Sequence, residues 1–205
     1  MKPNLKGYQT LSSSYRLLGI CGSLRANSFS SAILDALAGA TASQATFAYA
    51  DIGSVPHFNQ DLYVEPLPQA VRHLRDQIAK ADGLVIVSSE YNHGIPGVLK
   101  NALDWASRPH NGSPLRDKPV LIVTSSPAVT GGVRAQYQIR ETVISALARP
   151  LNTPEIVVGQ VGAKIVDGRF HDPAVIEFAL HGFAALFAEI DRLAADHRPT
   201  VVAAH

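Results

Sequence analysis

Two uninterrupted apolar runs, at residues 83–88 and 120–124, constrain the fold of this chain more than any other feature. A strand that faces water on one side alternates apolar and polar side chains, whereas a strand covered on both faces is apolar throughout. Segments with the spacing of amphipathic helices adjoin these runs, and the clearest has apolar side chains at Leu67, Val71, Leu74, Ile78 and Ala81. The pattern therefore predicts a parallel sheet with helices packed on both of its faces.

The same alternation of short apolar runs and helical spacing continues along the chain. We predict further strands at 16–21, 46–50 and 156–159, helices at 30–40, 67–81, 99–106, 133–147 and 173–194, and a short hairpin at 164–170. Five strands that alternate with five helices predict a doubly wound α/β domain with a five-stranded parallel sheet. We expect this domain to occupy residues 15–196 of the 205-residue chain, after a flexible arm at 1–14 and before a tail at 197–205.

Composition excludes several classes of function and partner. Eighteen Lys and Arg residues against 17 Asp and Glu give a net charge of +1, and the basic residues are scattered, so we expect neither nucleic-acid nor membrane binding. The single cysteine, Cys21, forms no internal disulfide, and we predict it to be a small hydrophobic residue of the core. The histidines lack the spacing of a zinc-binding helix, so we expect no metal site. Without a recognisable signal peptide, the chain is expected to be cytoplasmic.

The loop after the first predicted strand is rich in groups that bind phosphate. It carries Ser23, Arg25, Asn27, Ser28 and Ser30, and it opens a helix whose first N–H groups are free. The glycine patterns of dinucleotide-binding and nucleotide-hydrolysing loops are absent, so the sequence favours the phosphate of a mononucleotide. The alternative is that Ser28 or Ser30 only caps the helix and that Arg25 is solvated.

Two further loops follow predicted strands and are expected to lie beside the first, because ligands of open α/β sheets bind beyond the carboxyl ends of the strands. In the loop at 88–97, Gly94, Pro96 and Gly97 predict a tight backbone course that suits the edge of a flat ligand. The loop at 124–134 is again rich in hydroxyl groups and glycine. The alternatives are turn or cap roles for Glu90 and Asn92, and a simple flexible connection at 124–134.

In this order the three loops resemble the NADPH-dependent FMN reductase family, a flavodoxin-like group that includes quinone, chromate and azo-compound reductases. The matching pieces are G-S-L-R-x-x-S from residue 22, E-Y-N-x-x-x-P-G from residue 90, L-K-N-A-L-D-W from residue 99 and S-S-x-x-x-x-G-G-x-R from residue 125. The resemblance covers residues 15–195. It implies a flavodoxin-like fold, FMN as the cofactor and NADPH or NADH as the reductant.

The resemblance also implies which residues hold the flavin. The phosphate loop would consist of Ser23, Arg25, Asn27, Ser28, Phe29 and Ser30. Glu90, Tyr91, Asn92 and His93 would line the isoalloxazine, and Ser125 with Ser126 would close the other flank of the cofactor. No catalytic side chain is implied, because the flavin itself carries the redox chemistry. The chain departs from the family at Ser89, where a proline commonly precedes the Glu-Tyr-Asn sequence.

The implied activity is ping-pong transfer of reducing equivalents from NAD(P)H through FMN to a small oxidised acceptor: a quinone, an azo compound, chromate or a flavin. Two other functions remain open, namely a flavodoxin-like electron carrier and an FMN-binding regulatory subunit without turnover. The family is commonly dimeric or tetrameric, so we expect a homodimer or homotetramer. Phe58, Trp105 and Tyr137 are candidates for its interface or for the core.

Overall fold

The sheet that the apolar runs predict is present in the computed structural model, which describes residues 14–196. Four parallel strands lie in the order β2–β1–β3–β4, with β1 at Tyr15–Cys21, β2 at Ala45–Tyr49, β3 at Gly83–Ser89 and β4 at Pro119–Ser125. The helices are α1 (Phe29–Ala40), α2 (Gln69–Lys80), α3 (Gly97–Ala106), α4 (Val133–Ser145) and α5 (Pro173–Asp196). Residues 1–13 of the predicted arm and the predicted tail at 197–205 lie outside the described residues.

The fifth position of the sheet is divided between two short strands. β5 (Arg149–Pro150) pairs with the first residues of β4, and β6 (Ile156–Val158) pairs with its last three residues. The predicted strand at 156–159 corresponds to β6, whereas β5 has no signal in the sequence because it is only two residues long and one of them is a proline. The sheet thus has five parallel positions, as predicted, filled by six strands.

Helices cover both faces of this sheet, and the strands are buried between them. Leu17 of β1 and Val85 of β3 belong to the core under α1 and α5, while their neighbours Leu18 and Leu84 belong to the core under α2, α3 and α4. Burying one such side chain completely contributes roughly 1.5–3 kcal/mol. Both faces of the strands must therefore be apolar, and the doubly wound α/β fold predicted from the sequence is confirmed.

The strand order places a crevice at the carboxyl ends of β1 and β3. The chain leaves β1 toward β2 on one side and returns through α2 to β3 on the other, so the two loops that follow β1 and β3 diverge at this point. Gly22 lies directly against β3, because its N–H donates to the Val87 carbonyl at 2.8 Å. A Cβ atom on Gly22 would lie 2.3 Å from Ser88 Oγ and 3.1 Å from Ser88 Cα. Only glycine allows this close approach.

Helix α5 closes the domain. Within the described residues it is the one helix whose 24-residue length and composition would allow it to cross a membrane. Its apolar stripe, which includes Phe183, Leu186 and Ile190, is buried against the sheet. Between β6 and α5, the predicted hairpin is present as β7 (Ile165–Val166) and β8 (Arg169–Phe170). Its turn residues Asp167 and Gly168 both have positive φ.

Helix α3 fastens the long loop between β2 and α2. Trp105 is fully buried, and its Nε1–H donates to the Pro56 carbonyl at 2.8 Å. Asn101 Nδ2 donates to the same carbonyl at 2.9 Å, and Asn101 Oδ1 accepts from the Phe58 N–H at 2.7 Å. The Phe58 ring packs edge-on against Trp105 with centroids 5.0 Å apart. The sequence left open whether these aromatic residues belong to the core or to a subunit interface. Trp105 belongs to the core, whereas Tyr137 is 59% exposed.

Candidate functional site

Three loops meet at the carboxyl edge of the sheet, as the sequence predicts. The first follows β1 and leads into α1, the second follows β3, and the third follows β4 and leads into α4. Tyr91 connects the first two loops, because its hydroxyl lies 3.4 Å from Ser23 Oγ, and this hydrogen bond lowers the pKa of Tyr91. Glu90 connects the second loop to the N-terminus of α4. The predicted site residues are thus brought together from segments that are distant in sequence.

The first loop presents the N-terminus of α1. Ser28 is the N-cap, with extended backbone and with Oγ accepting from the Ser31 N–H at 3.4 Å. The Arg25 guanidinium lies over the Phe29 ring, 4.7 Å from its centroid. Arg25 and Asn27 are exposed, while Ser30 is buried and its Oγ has no hydrogen-bond partner. Capping of the Ser31 N–H by Ser28 is therefore observed, but Arg25, Asn27 and the first two N–H groups of the helix remain available to an anion.

Cys21 lies directly beneath this loop. It is the last residue of β1, is only partly buried, and its S–H donates to the Ser23 carbonyl at 3.4 Å. Its Sγ is 3.9 Å from Ser28 Oγ. The prediction of a core residue within the strand is therefore only partly correct: Cys21 packs against the core but also contacts the first loop. Burial raises the pKa of its thiol, partly offset by the Ser23 hydrogen bond.

We expect native Cys21 to react with a chromogenic disulfide reagent near neutral pH at least about 10-fold more slowly than a free cysteine, because the raised pKa leaves little thiolate. The rate is followed by the absorbance of the released thiolate. The urea-unfolded protein, whose single cysteine is Cys21, serves as the control and should react at the rate of a free thiol. Equal rates for the native and unfolded protein would contradict this geometry.

The second loop contains a tight turn at residues 91–94, which we call the ring-side turn. The Tyr91 N–H donates to the Gly94 carbonyl at 2.9 Å, and the Gly94 N–H donates to the Tyr91 carbonyl at 3.0 Å. The central residues Asn92 and His93 have φ of 49° and 67°, as in a type I′ hairpin turn. The sharp bend is therefore made by Asn92 and His93 and not by the glycines that the sequence indicated. Such backbone costs of order 1–3 kcal/mol and recurs at functional sites.

Glu90 uses its carboxylate to cap helix α4. Oε2 accepts from the N–H groups of Arg134 and Ala135 at 3.0 and 3.2 Å, and Oε1 lies 3.7 Å from the Arg134 guanidinium. The side chain is only 8% exposed. This is the cap role that the sequence left as an alternative to lining a ring. The exposed side chains of the loop are instead those of Tyr91, Asn92 and His93.

The third loop is held against β6. The Ser126 N–H donates to the Val158 carbonyl at 3.1 Å, and Ser126 Oγ accepts from the Ala128 N–H at 3.1 Å. These hydrogen bonds tie the start of the loop to β6, which disfavours the alternative of a simple flexible connection. Ser125, at the end of β4, is buried, and its Oγ has no hydrogen-bond partner.

Buried hydroxyl groups without a protein partner indicate whether the site can bind a phosphate ester that carries several hydroxyl groups. Buried polar groups are almost always hydrogen-bonded in folded proteins, to protein, water or ligand. Here Ser30 and Ser125 lack a protein partner, and both lie at the carboxyl edge of the sheet. Together with the open helix N-terminus, they suit the ribityl phosphate of FMN. Within residues 14–196, no cluster of three or more metal-ligating side chains is found.

A fourth loop, which the sequence analysis did not assign to the site, also borders the carboxyl edge of the sheet. The loop between β2 and α2 also begins at the carboxyl edge, and Leu24 of the first loop packs so closely over Gly53 that a Cβ there would lie 2.9 Å from Leu24 Cδ2. The sequence signal that could have indicated this loop is its concentration of Gly, Pro and Asp directly after the predicted strand at 46–50.

The strand order and the helices that connect the parallel strands define a flavodoxin-like fold. Known proteins agree: the family model for NADPH-dependent FMN reductases matches residues 15–163. An NAD(P)H-dependent FMN reductase of Pseudomonas aeruginosa is 38% identical over 184 residues, which cover 89% of this chain and 99% of the relative. A quinone reductase of Escherichia coli K12 is 40% identical over 157 residues, covering 76% of this chain and 83% of the relative.

Solved structures show the same fold. The flavoenzyme FerB of Paracoccus denitrificans, an NAD(P)H:(acceptor) oxidoreductase, superposes with a TM-score of 0.75 at 30% identity, over 86% of this chain and 96% of FerB. A WrbA-like flavodoxin of Agrobacterium tumefaciens has a TM-score of 0.53 at 16% identity, over 91% of this chain and 100% of that chain. The chain belongs to the NADPH-dependent FMN reductase family. The predicted oxidoreductase class, FMN cofactor and NAD(P)H reductant are thereby confirmed.

Proposed function

We propose that the protein transfers reducing equivalents from NAD(P)H to a quinone-type acceptor by a ping-pong mechanism, with FMN bound across the three loops. The observation that carries the proposal is the meeting of an open helix N-terminus, unpartnered buried hydroxyls and an exposed turn at one sheet edge. When bound, FMN supplies the redox chemistry, since it takes up hydride from the reductant and passes reducing equivalents to the acceptor. The chain has to bind and orient the reactants.

In this proposal the phosphate binds at the N-terminus of α1. The residues of this subsite are Ser23, Arg25, Asn27, Ser28, Phe29 and Ser30. The first N–H groups of the helix and the Arg25 guanidinium supply positive charge to a dianion. The Phe29 ring holds Arg25 over the loop.

The isoalloxazine would lie between the ring-side turn and the third loop. Tyr91, Asn92 and His93 offer exposed side chains and backbone on one side. Ser125 with Ser126 would close the other side. Glu90 contributes through its backbone, because its carboxylate caps α4. No dedicated acid–base pair is needed at such a site.

Quinones are the acceptor class that the relatives favour. The Escherichia coli relative is a quinone reductase, and a 2-hydroxy-1,4-benzoquinone reductase from Burkholderia sp. is 42% identical over 139 residues. An open surface over the turn would also admit azo compounds, chromate or free flavin. We propose that the reaction takes place in the cytoplasm. We also propose a homodimer or homotetramer, because the large side chains of Tyr137 and Ile144 on α4 are exposed. Light scattering tests the oligomer.

Steady-state NADPH oxidation after FMN reconstitution, with a benzoquinone as acceptor, tests the proposed function. Double-reciprocal plots at several quinone concentrations should be parallel, as for any ping-pong enzyme. Intersecting lines would contradict the mechanism. Tight FMN binding without turnover above that of free FMN would instead favour an electron carrier or a regulatory subunit.

A further inference from the structure

Helix α4 holds the ring-side turn from outside, through a side chain that belongs to none of the predicted site residues. Gln138 Oε1 accepts from the Ile95 N–H at 2.7 Å. The same amide oxygen lies over Gly94, where a Cβ atom would approach it to 2.7 Å. Gln138 therefore sits directly on the C-terminal end of the turn, and any larger residue at position 94 would displace it.

The N-terminal end of the turn is tied to the same helix. Glu90, which precedes the turn, accepts from the backbone of Arg134 and Ala135 in the first turn of α4. Gln138 lies one helical turn further along. Two anchors one turn apart on a rigid helix determine both the position and the orientation of the segment between them.

The backbone of the ring-side turn is strained at its two central residues, so contacts from outside the turn help to hold it. Asn92 and His93 are both non-glycine residues with positive φ. Backbone of this kind persists where surrounding contacts over-determine it. The two hydrogen bonds between Tyr91 and Gly94 close the turn, but they do not fix how it projects from the sheet.

We propose that Gln138 is a positioning residue of the active site. Through Ile95 it sets the orientation of the ring-side turn, and so the surface that Tyr91, Asn92 and His93 present to the flavin and the acceptor. It acts without touching either. The inference rests on the proposed function in one respect, namely that this turn lines the isoalloxazine.

Three variants separate positioning from a general structural role. Gln138→Ala removes the acceptor, Gln138→Glu keeps an acceptor oxygen on a side chain of the same length, and Glu141→Ala truncates an exposed residue three positions along the same helix. In the flavin-free protein, we expect hydrogen exchange of the Ile95 amide to accelerate about 10-fold in Gln138→Ala only, because one hydrogen bond is lost. Gln138→Glu and Glu141→Ala should exchange as the unsubstituted protein does.

FMN titration provides the second readout. Gln138→Ala should bind FMN about 3- to 10-fold more weakly, as expected for one neutral hydrogen bond, with a shifted flavin absorption band. Gln138→Glu should restore both values. Unchanged Ile95 exchange in Gln138→Ala, unchanged FMN binding, or failure of Gln138→Glu to restore either value would overturn the inference. If the unsubstituted protein binds no FMN, the proposed function fails first, and the positioning role falls with it.

Discussion

Replacement of Arg25 by alanine is expected to weaken FMN binding about 10- to 100-fold, because a charge-assisted hydrogen bond to phosphate contributes about 1.5–3 kcal/mol. Arg25 is exposed and lies over Phe29 at the N-terminus of α1, so its removal leaves no buried group unpaired. The free energy of unfolding of the flavin-free protein should therefore change little. Quenching of FMN fluorescence on titration with the apoprotein measures the affinity.

Arg25→Lys and Arg116→Ala serve as controls for this prediction. Lysine keeps the charge but not the planar guanidinium, so an intermediate affinity is expected. Arg116 is an exposed arginine that precedes β4, at the opposite edge of the sheet, and its removal should leave the affinity unchanged. Should Arg25→Ala bind FMN as tightly as the unsubstituted protein, the phosphate is not held where we propose.

Replacement of Trp105 by alanine is expected to lower the free energy of unfolding by about 3–5 kcal/mol, as is usual when a large buried aromatic side chain is truncated. Trp105 is completely buried and packs against Phe58 and Tyr63. Its loss opens a cavity under the loop that connects β2 to α2. Urea unfolding monitored by circular dichroism gives the change, and an unaltered denaturant slope shows that the unfolded state is comparable.

Trp105→Phe separates packing from hydrogen bonding. The ring volume is largely kept, and the Pro56 carbonyl still accepts from Asn101 Nδ2, so the cost should be no more than about 1–2 kcal/mol. Equal losses for the alanine and phenylalanine variants would show that the indole N–H, and not burial, makes the main contribution. A loss below about 1 kcal/mol for Trp105→Ala would contradict the packing described above.

The elements of the fold could be predicted because their signals are local. A strand buried on both faces must be apolar throughout, and an amphipathic helix must repeat its apolar residues every three or four positions, so both can be recognised in short stretches of sequence. The division of the fifth sheet position into β5 and β6 could not be predicted in this way. Arg149 and Pro150 form a strand only because β4 lies beside them.

The site was predicted at the level of loops, and less well at the level of side chains. The rule that ligands bind beyond the carboxyl ends of parallel strands is enough to bring Ser23, Tyr91 and Ser125 to one edge. It does not tell whether Glu90 faces a ligand or a helix, because its partners Arg134 and Ala135 are more than 40 residues away. The same holds for the bond between Gln138 and Ile95.

The sequence by itself thus determined the layers of the domain, the order of its elements, and the chemical character of the three loops, since each follows from residues that are close along the chain. Only the tertiary structure decided which polar groups are already paired and which are left for a ligand. Glu90 is committed to α4, whereas the hydroxyls of Ser30 and Ser125 have no protein partner. The physical reason is that a hydrogen bond depends on distances of a few tenths of an ångström, and these are set by how distant helices pack on the sheet.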